Sequence, residues 1–251
     1  MNELSIRYAD NDIVVIDKPA GLLVHRSRIA SDAKQFAMQL LRDQLGQYVY
    51  PVHRLDRPTS GLLMFALSSE VARQMSEAFA NRQVDKTYHA VVRGYVAEQG
   101  VIDYALKEEL DAYADELADP DKAAQPALTE YRRLAQIELP FAVSKKHATS
   151  RYSLVELTPK TGRKHQLRRH MSHIRHPIVG DTNHGDGRHN RFFREHFNIQ
   201  RLLLNASRLS FSHPLTGQRL QVTTALPPAL LEPFKTVMPA TLQQQLMALN
   251  A

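Results

Sequence analysis

The sequence predicts an α+β fold, with helices packed around a mixed or antiparallel sheet. Two observations lead there. Segments with strand and helix patterning follow one another without the regular strand–helix–strand alternation of a doubly wound sheet. The 251-residue chain also shows neither an internal repeat nor a low-complexity linker, so its apolar segments have one core to share.

The elements justify this reading in order. LSIRY (residues 4–8) and DIVVIDKP (12–19) are rich in β-branched residues and read as strands. Residues 32–45 carry apolar positions at helical spacing, with Ser31 placed to cap the start and Gly46 just past the end. GLLMFAL (61–67) is a short buried strand, after which Ser68 or Ser69 can cap a second helix running to about Arg82. Residues 86–96, KTYHAVVRGYV, alternate and read as a strand. The acidic stretch 103–121 fits a solvated helix or an excursion closed by Pro120 and Pro126. LTEYRRLAQIEL (128–139) and RYSLVEL (151–157) supply two strands, and HQLRRHMSHI (165–174) a short helix with a basic face. LLLNASRLSFSHP (202–214) and QRLQVTTAL (218–226) give late strands, and a terminal helix is expected from Thr241.

Composition narrows the function. There are no cysteines, which removes disulfides, thiolate nucleophiles and cysteine-based zinc sites and makes a cytoplasmic location the expectation. No run is long and apolar enough for a membrane span, and the N-terminus lacks a secretory pattern. Net charge is +6, and its distribution says more than its sum. Residues 160–176 hold six Lys or Arg and no acid; Arg188, Arg191, Arg194 and Arg201 follow, whereas acids gather between Asp103 and Asp121. One face should attract phosphates and another repel them.

The segment richest in chemistry is HRLDRPTSG (53–61), which runs into the apolar strand. Its Pro, Thr, Ser and Gly form a turn, so Asp56 sits on a loop braced by a buried strand. A carboxylate so placed can act as nucleophile or general base. Arg54 and Arg57 flank it and could touch phosphate.

HRLDRPTSGLL resembles the signature of the RluA-type pseudouridine synthases. DKPAG (17–21) with His25, KTYHAVVRG (86–94), LTPKTGRKHQLR (157–168) and HPIVGD (176–181) resemble further motifs of that family in the same order. The resemblance implies the pseudouridine synthase fold: a central mixed, mostly antiparallel sheet with flanking helices and a catalytic cleft. It implies Asp56 as the catalytic carboxylate, Tyr88 as the active-site tyrosine and Arg168 as the basic partner of that Asp. Arg54 is similar to the residue that fills the space of an extruded nucleotide. Phosphate contacts are expected from Arg57, Arg163, Lys164 and Arg169. The reaction neither changes redox state nor imports a group, so no cofactor and no metal are expected.

The wording of residues 159–186 is similar to members acting on uridine 65 of tRNA, so tRNA is the expected partner. A monomer is expected, with residues 1–251 forming one catalytic domain and no separate N-terminal RNA-binding domain. Two departures stand out: GDTNH (180–184) where the family commonly has a Tyr, and Leu204-Asn205-Ala206 where it commonly has Leu-His-Ala.

The rival inside the family is the same chemistry on another uridine, in tRNA or ribosomal RNA, and two other classes remain to be weighed. His165, His170, His173, His176, Asp181, His184 and Asp186 could be arranged as a divalent-metal hydrolase site, although the interleaved Arg and Lys would repel a cation. A non-catalytic RNA-binding module would explain the charge but leave the Asp56 turn without a purpose.

Overall fold

Alternation along the strands decides the layers. In the computed structural model, which describes residues 3–25, 35–108 and 123–247, ten strands join in one sheet. They are β1 (Ser5–Ala9), β2 (Ile13–Lys18), β3 (Tyr50–Pro51), β4 (Ser60–Ala66), β5 (Asp85–Arg93), β6 (Gln99–Asp103), β7 (Leu128–Leu139), β8 (Ser150–Pro159), β9 (Leu204–Ser212) and β10 (Arg219–Thr223). The order is β1-β2-β4-β9-β5-β8-β7-β6, with β3 added to β4 and β10 to β9. Six helices flank it: α1 (Ala37–Leu45), α2 (Ser69–Ala80), α3 (Gln166–His173), α4 (Gly187–Phe197), α5 (Pro228–Leu231) and α6 (Ala240–Met247). The expected α+β architecture is therefore the one observed.

Successive side chains of a strand point to opposite faces, and the helices divide accordingly. Val14, Ile16, Leu63 and Phe65 pack with Leu41 of α1, whereas Ile13, Val15, Leu62 and Met64 pack with Val71 and Met75 of α2. In the other half, Ala90, Val92, Val155 and Leu157 meet Leu167 and Met171 of α3. Their neighbours Val91, Tyr152 and Leu154 meet Phe193 of α4 and Leu230 of α5.

The halves join at one seam. Every strand pair is antiparallel except β4 with β9, which run parallel through Ser60↔Asn205 and Gly61↔Ala206. Gly61 has φ +108°, and a Cβ there would lie 2.1 Å from the Ala206 carbonyl oxygen. Only glycine permits this approach. The seam begins four residues after Asp56, so the apposition of the halves fixes the end of that loop.

Some boundaries differ from expectation. The first helix starts at Ala37, because Phe36 is extended (φ −136°, ψ 144°) and bridges to Leu23; no side chain caps it. Ser31 and residues 32–34 lie outside the described residues, as does most of the acidic stretch. Gly46 ends α1 in the left-handed region and Ser68 Oγ caps α2 by accepting from Val71 N–H, as expected. Helix α4 went unread because its arginines obscure a narrow buried face of His189 and Phe193.

One buried base links the fold to pH. His89 on β5 is 3% exposed. Its Nδ1 lies 2.7 Å from Ser207 Oγ, whose hydroxyl donates to the Thr87 carbonyl, so Nδ1 carries the proton. Burial pushes this imidazole down to about 4, against the pull of Glu156 and with Arg208 and Arg132 repelling the cation. The unfolded chain binds that proton near pH 6.5, so stability is full above that value and is lost as pH falls toward about 4. Urea unfolding should show a free energy declining with a slope of up to about 1.4 kcal/mol per pH unit from this group. His89→Gln should reduce that slope; an unchanged pH profile would remove His89 from the account.

Candidate active site

A turn leading into a buried strand places Asp56 in a cleft of about 690 Å³, lined by the 51–59 loop, the end of α2, β5 and residues 159–168. The loop is tied down on three sides. Thr59 N–H donates to the Asp56 carbonyl at 3.0 Å, closing the turn. His53 Nε2 accepts from Met64 N–H at 3.0 Å while its ring stacks on Phe79 at 4.4 Å. Burial and Lys86 push His53 down to about 3, so it serves as a neutral acceptor. Lys18 inserts its ammonium beneath the loop and donates to the carbonyls of Pro19 (3.0 Å), Leu22 (2.9 Å) and Arg57 (3.2 Å). Three acceptors match the three donors of an ammonium. Burial and Arg201 push the Lys18 ammonium down to about 7, against the pull of Asp56 and Asp17.

Arg168 organises the charge. Its Nε and one terminal nitrogen grip Asp181 at 2.7 and 2.8 Å, and the other reaches Asp56 Oδ2 at 3.2 Å. Arg168 and Asp181 are 3% and 2% exposed. Burial works against the Arg168 cation, but Asp181 and Asp56 outweigh it and raise its pKa. Burial likewise opposes the Asp181 carboxylate, which Arg168 and the N–H groups of Asn183 and His184 hold below the usual range. Asn190 of α4 clamps this turn by accepting from Gly180 N–H and donating to the Asp181 carbonyl, both at 2.7 Å.

Tyr88 lies on β5 opposite Leu157 and Ala206, with its ring lining the cleft. Burial, then the negative charge of Asp56, pushes its phenol well above the ordinary range, so the hydroxyl is protonated at neutral pH. The structure thus brings Asp56, Tyr88 and Arg168 together. Arg54 and Arg163 also line the cleft; Arg54 is exposed, and Arg163 Nε donates to the Pro126 carbonyl at 3.3 Å. Arg57 is directed elsewhere, its Nε donating to the Gly21 carbonyl at 3.1 Å. Lys164 and Arg169 are partly exposed and fall outside the cleft lining.

Of the residues considered as metal ligands, His165 and His184 meet at 3.1 Å, whereas others point elsewhere. His170 bonds Thr129 and the Tyr104 carbonyl, His176 bonds the Arg93 carbonyl, and Asp186 caps α4 and pairs with Arg93. Among the described residues, the group with ligand atoms close enough for a metal is Asp10, Asp12 and His213, away from this cleft. There His213 Nδ1 accepts from the N–H groups of Leu215 and Thr216, so Nε2 carries a proton toward Asp10 at 3.1 Å. In that geometry His213 offers no lone pair to a cation.

Sequence reasoning passed over Lys18 and Lys86 as site residues and weighed His165 and Asp181 only as metal ligands. Lys86 lines the cleft beside Tyr88. Lys18, His165 and Asp181 each stood inside a motif that was recognised, but nothing in the spacing shows whom they touch.

Residues 12–173 match the RNA pseudouridylate synthase family. The chain belongs to that family. It is 60% identical over 223 residues to the tRNA pseudouridine synthase C of Vibrio cholerae, covering 89% of this chain and 91% of that protein. With the protein of the same name from Yersinia pestis it shares 58% identity over 220 residues, covering 88% and 85%. Among solved structures, human RNA pseudouridylate synthase domain containing 1 superposes with a TM-score of 0.72 at 27% identity, covering 99% of this chain and 95% of that one. The enzyme is an isomerase by this membership, and the cleft holding Asp56 is its candidate active site.

The buried Arg168–Asp181 pair gives a sharp expectation. Asp181→Asn keeps the shape but leaves a buried guanidinium without its counter-charge, which should cost about 3–5 kcal/mol of stability. Chemical denaturation measures this, and a loss below about 1 kcal/mol would mean that Arg168 does not depend on Asp181.

Proposed function

We propose that the substrate is tRNA, that the modified nucleotide is uridine 65, and that Asp56 is the essential catalytic carboxylate. The observation that carries this reading is the placement of Asp56 in the cleft, with Arg168 at 3.2 Å and the ring of Tyr88 lining the same space. The names of the curated relatives support tRNA, and the wording of residues 159–186 supports the position.

Isomerisation breaks the bond from N1 of uracil to C1′, turns the base, and joins C5 to C1′. One proton leaves C5 and one is gained at N1, so the formula is unchanged. Asp56 meets the protein through Oδ2, which leaves Oδ1 as the oxygen available to substrate. Tyr88 stacks on the uracil and retains it while it is detached, an interaction of about 1–3 kcal/mol. Its protonated hydroxyl acts first as a hydrogen-bond donor. A stacked uridine must be extruded at a cost of a few kcal/mol, and the exposed Arg54 fills the vacated space. Arg163, Lys164 and Arg169 supply phosphate contacts. The chain acts as a monomeric catalytic domain in the cytoplasm, needing no cofactor. Among the described residues no helix is long and apolar enough to cross a membrane.

The test uses tRNA carrying tritium at uridine C5. The full chain should release tritium in proportion to pseudouridine formed at one mapped position. Asp56→Asn, folded by circular dichroism, should release none. Release from tRNA lacking uridine 65 would overturn the address, and turnover by Asp56→Asn would overturn the mechanism.

A further inference from the structure

We propose that His165 is a positioning residue for Asp56 and that His184 sets its tautomer. The inference rests on the reading of Asp56 given above. His165 precedes α3 with φ +54°, the left-handed region that a side chain with a Cβ rarely occupies. The position is the N-cap of α3, yet the His165 side chain makes no capping hydrogen bond. Instead, its Nε2 lies 3.8 Å from Asp56 Oδ2 and its Nδ1 lies 3.1 Å from His184 Nε2. The backbone conformation is thus coupled to reach into the cleft.

Proton counting orders the chain. A neutral imidazole offers one donor and one acceptor. For His165 to present Nε2–H to the carboxylate, its Nδ1 must accept, so His184 donates from Nε2. The opposite assignment would set a lone pair of His165 against a carboxylate oxygen. His184 is anchored in turn, its backbone N–H donating to Asp181 Oδ1 at 3.0 Å. Asp181 therefore reaches Asp56 by two routes, through the Arg168 guanidinium and through His184 and His165. Both end on Oδ2, which immobilises one carboxylate oxygen and aims the other. At 3.8 Å the His165 contact is longer than a hydrogen bond and closes to one when RNA fills the cleft, as catalytic contacts commonly do on binding.

Single-turnover kinetics on tRNA with the full chain test this, run beside wild type and Asp56→Asn. His165→Phe should lower the chemical rate by about 10- to 100-fold, while tRNA affinity changes by less than about 3-fold. His165→Gln should recover most of that rate, because an amide N–H needs no tautomer to donate. His184→Phe should lose rate in the wild-type background and lose nothing more in the His165→Gln background. Thermal unfolding monitors the fold, and if His165→Phe does not fold, the His184→Phe comparison in the two backgrounds decides. Equal losses for His165→Phe and His165→Gln, a loss confined to tRNA affinity, or a His184→Phe effect that persists with Gln would each overturn the proposal. If wild type turns over and Asp56→Asn does not, yet the histidine variants react at the wild-type rate, this inference fails alone. If wild type releases no tritium, or Asp56→Asn does, the underlying reading has failed.

Discussion

Burying the Arg168 cation without Asp181 would be costly, and Asp56 takes its direction from Arg168. The guanidinium is gripped through two nitrogens by a buried carboxylate and extends a third toward the cleft. A planar fork is the group able to do this, because its donors diverge at fixed angles, whereas a lysine would offer one compact charge. The pair is costly to bury, and what it returns is geometry. The strong bond points away from the cleft, so the arginine remains fixed whatever happens to the exposed carboxylate.

The remaining supports serve the same end from other directions. Lys18 collects three carbonyls under the loop, His53 fastens it to β4, and Gly61 closes the seam to β9. These contacts join segments far apart in the chain: residue 18 to 57, 168 to 181, and 61 to 206. Each is buried or nearly so, whereas the Asp56 side chain keeps 29% of its exposure. A rigid periphery around an accessible acid is what a reaction with a mobile, detached base requires. The base must move and its partner must not.

Much of this was legible before any coordinates. Strand-forming residues located β2, β7 and β8, a short apolar run β4 and alternation β5, and the HRLDRPTSG turn marked Asp56 because its turn formers stand directly before an apolar strand. Tyr88 and Arg168 came from resemblance rather than from patterning. What escaped was pairing. Asp181 looked equally suited to a metal, and only the fold shows that its oxygens are occupied by Arg168 and two backbone N–H groups. Arg57 stands beside the acid, and the sequence does not show that its Nε donates to the Gly21 carbonyl. Helix α4 was hidden because a helix packed by one narrow stripe has too few apolar positions to show a period.

The electrostatic division of labour follows from burial. His53 and His89 are bases that desolvation keeps neutral, and they act as hydrogen-bond joints in the frame. The cations that remain accessible, Arg54 and Arg163 among them, lie along the cleft where a polyanion would enter. Between these layers sits one carboxylate that would repel the same polyanion. Its charge is tolerable there because the guanidinium behind it neutralises the field toward the backbone of the RNA while leaving one oxygen chemically free. Moving that cation to the mouth of the cleft would strengthen RNA binding and abandon the acid. Keeping it buried and anchored to Asp181 is what lets a basic surface and an accessible carboxylate share the same cleft.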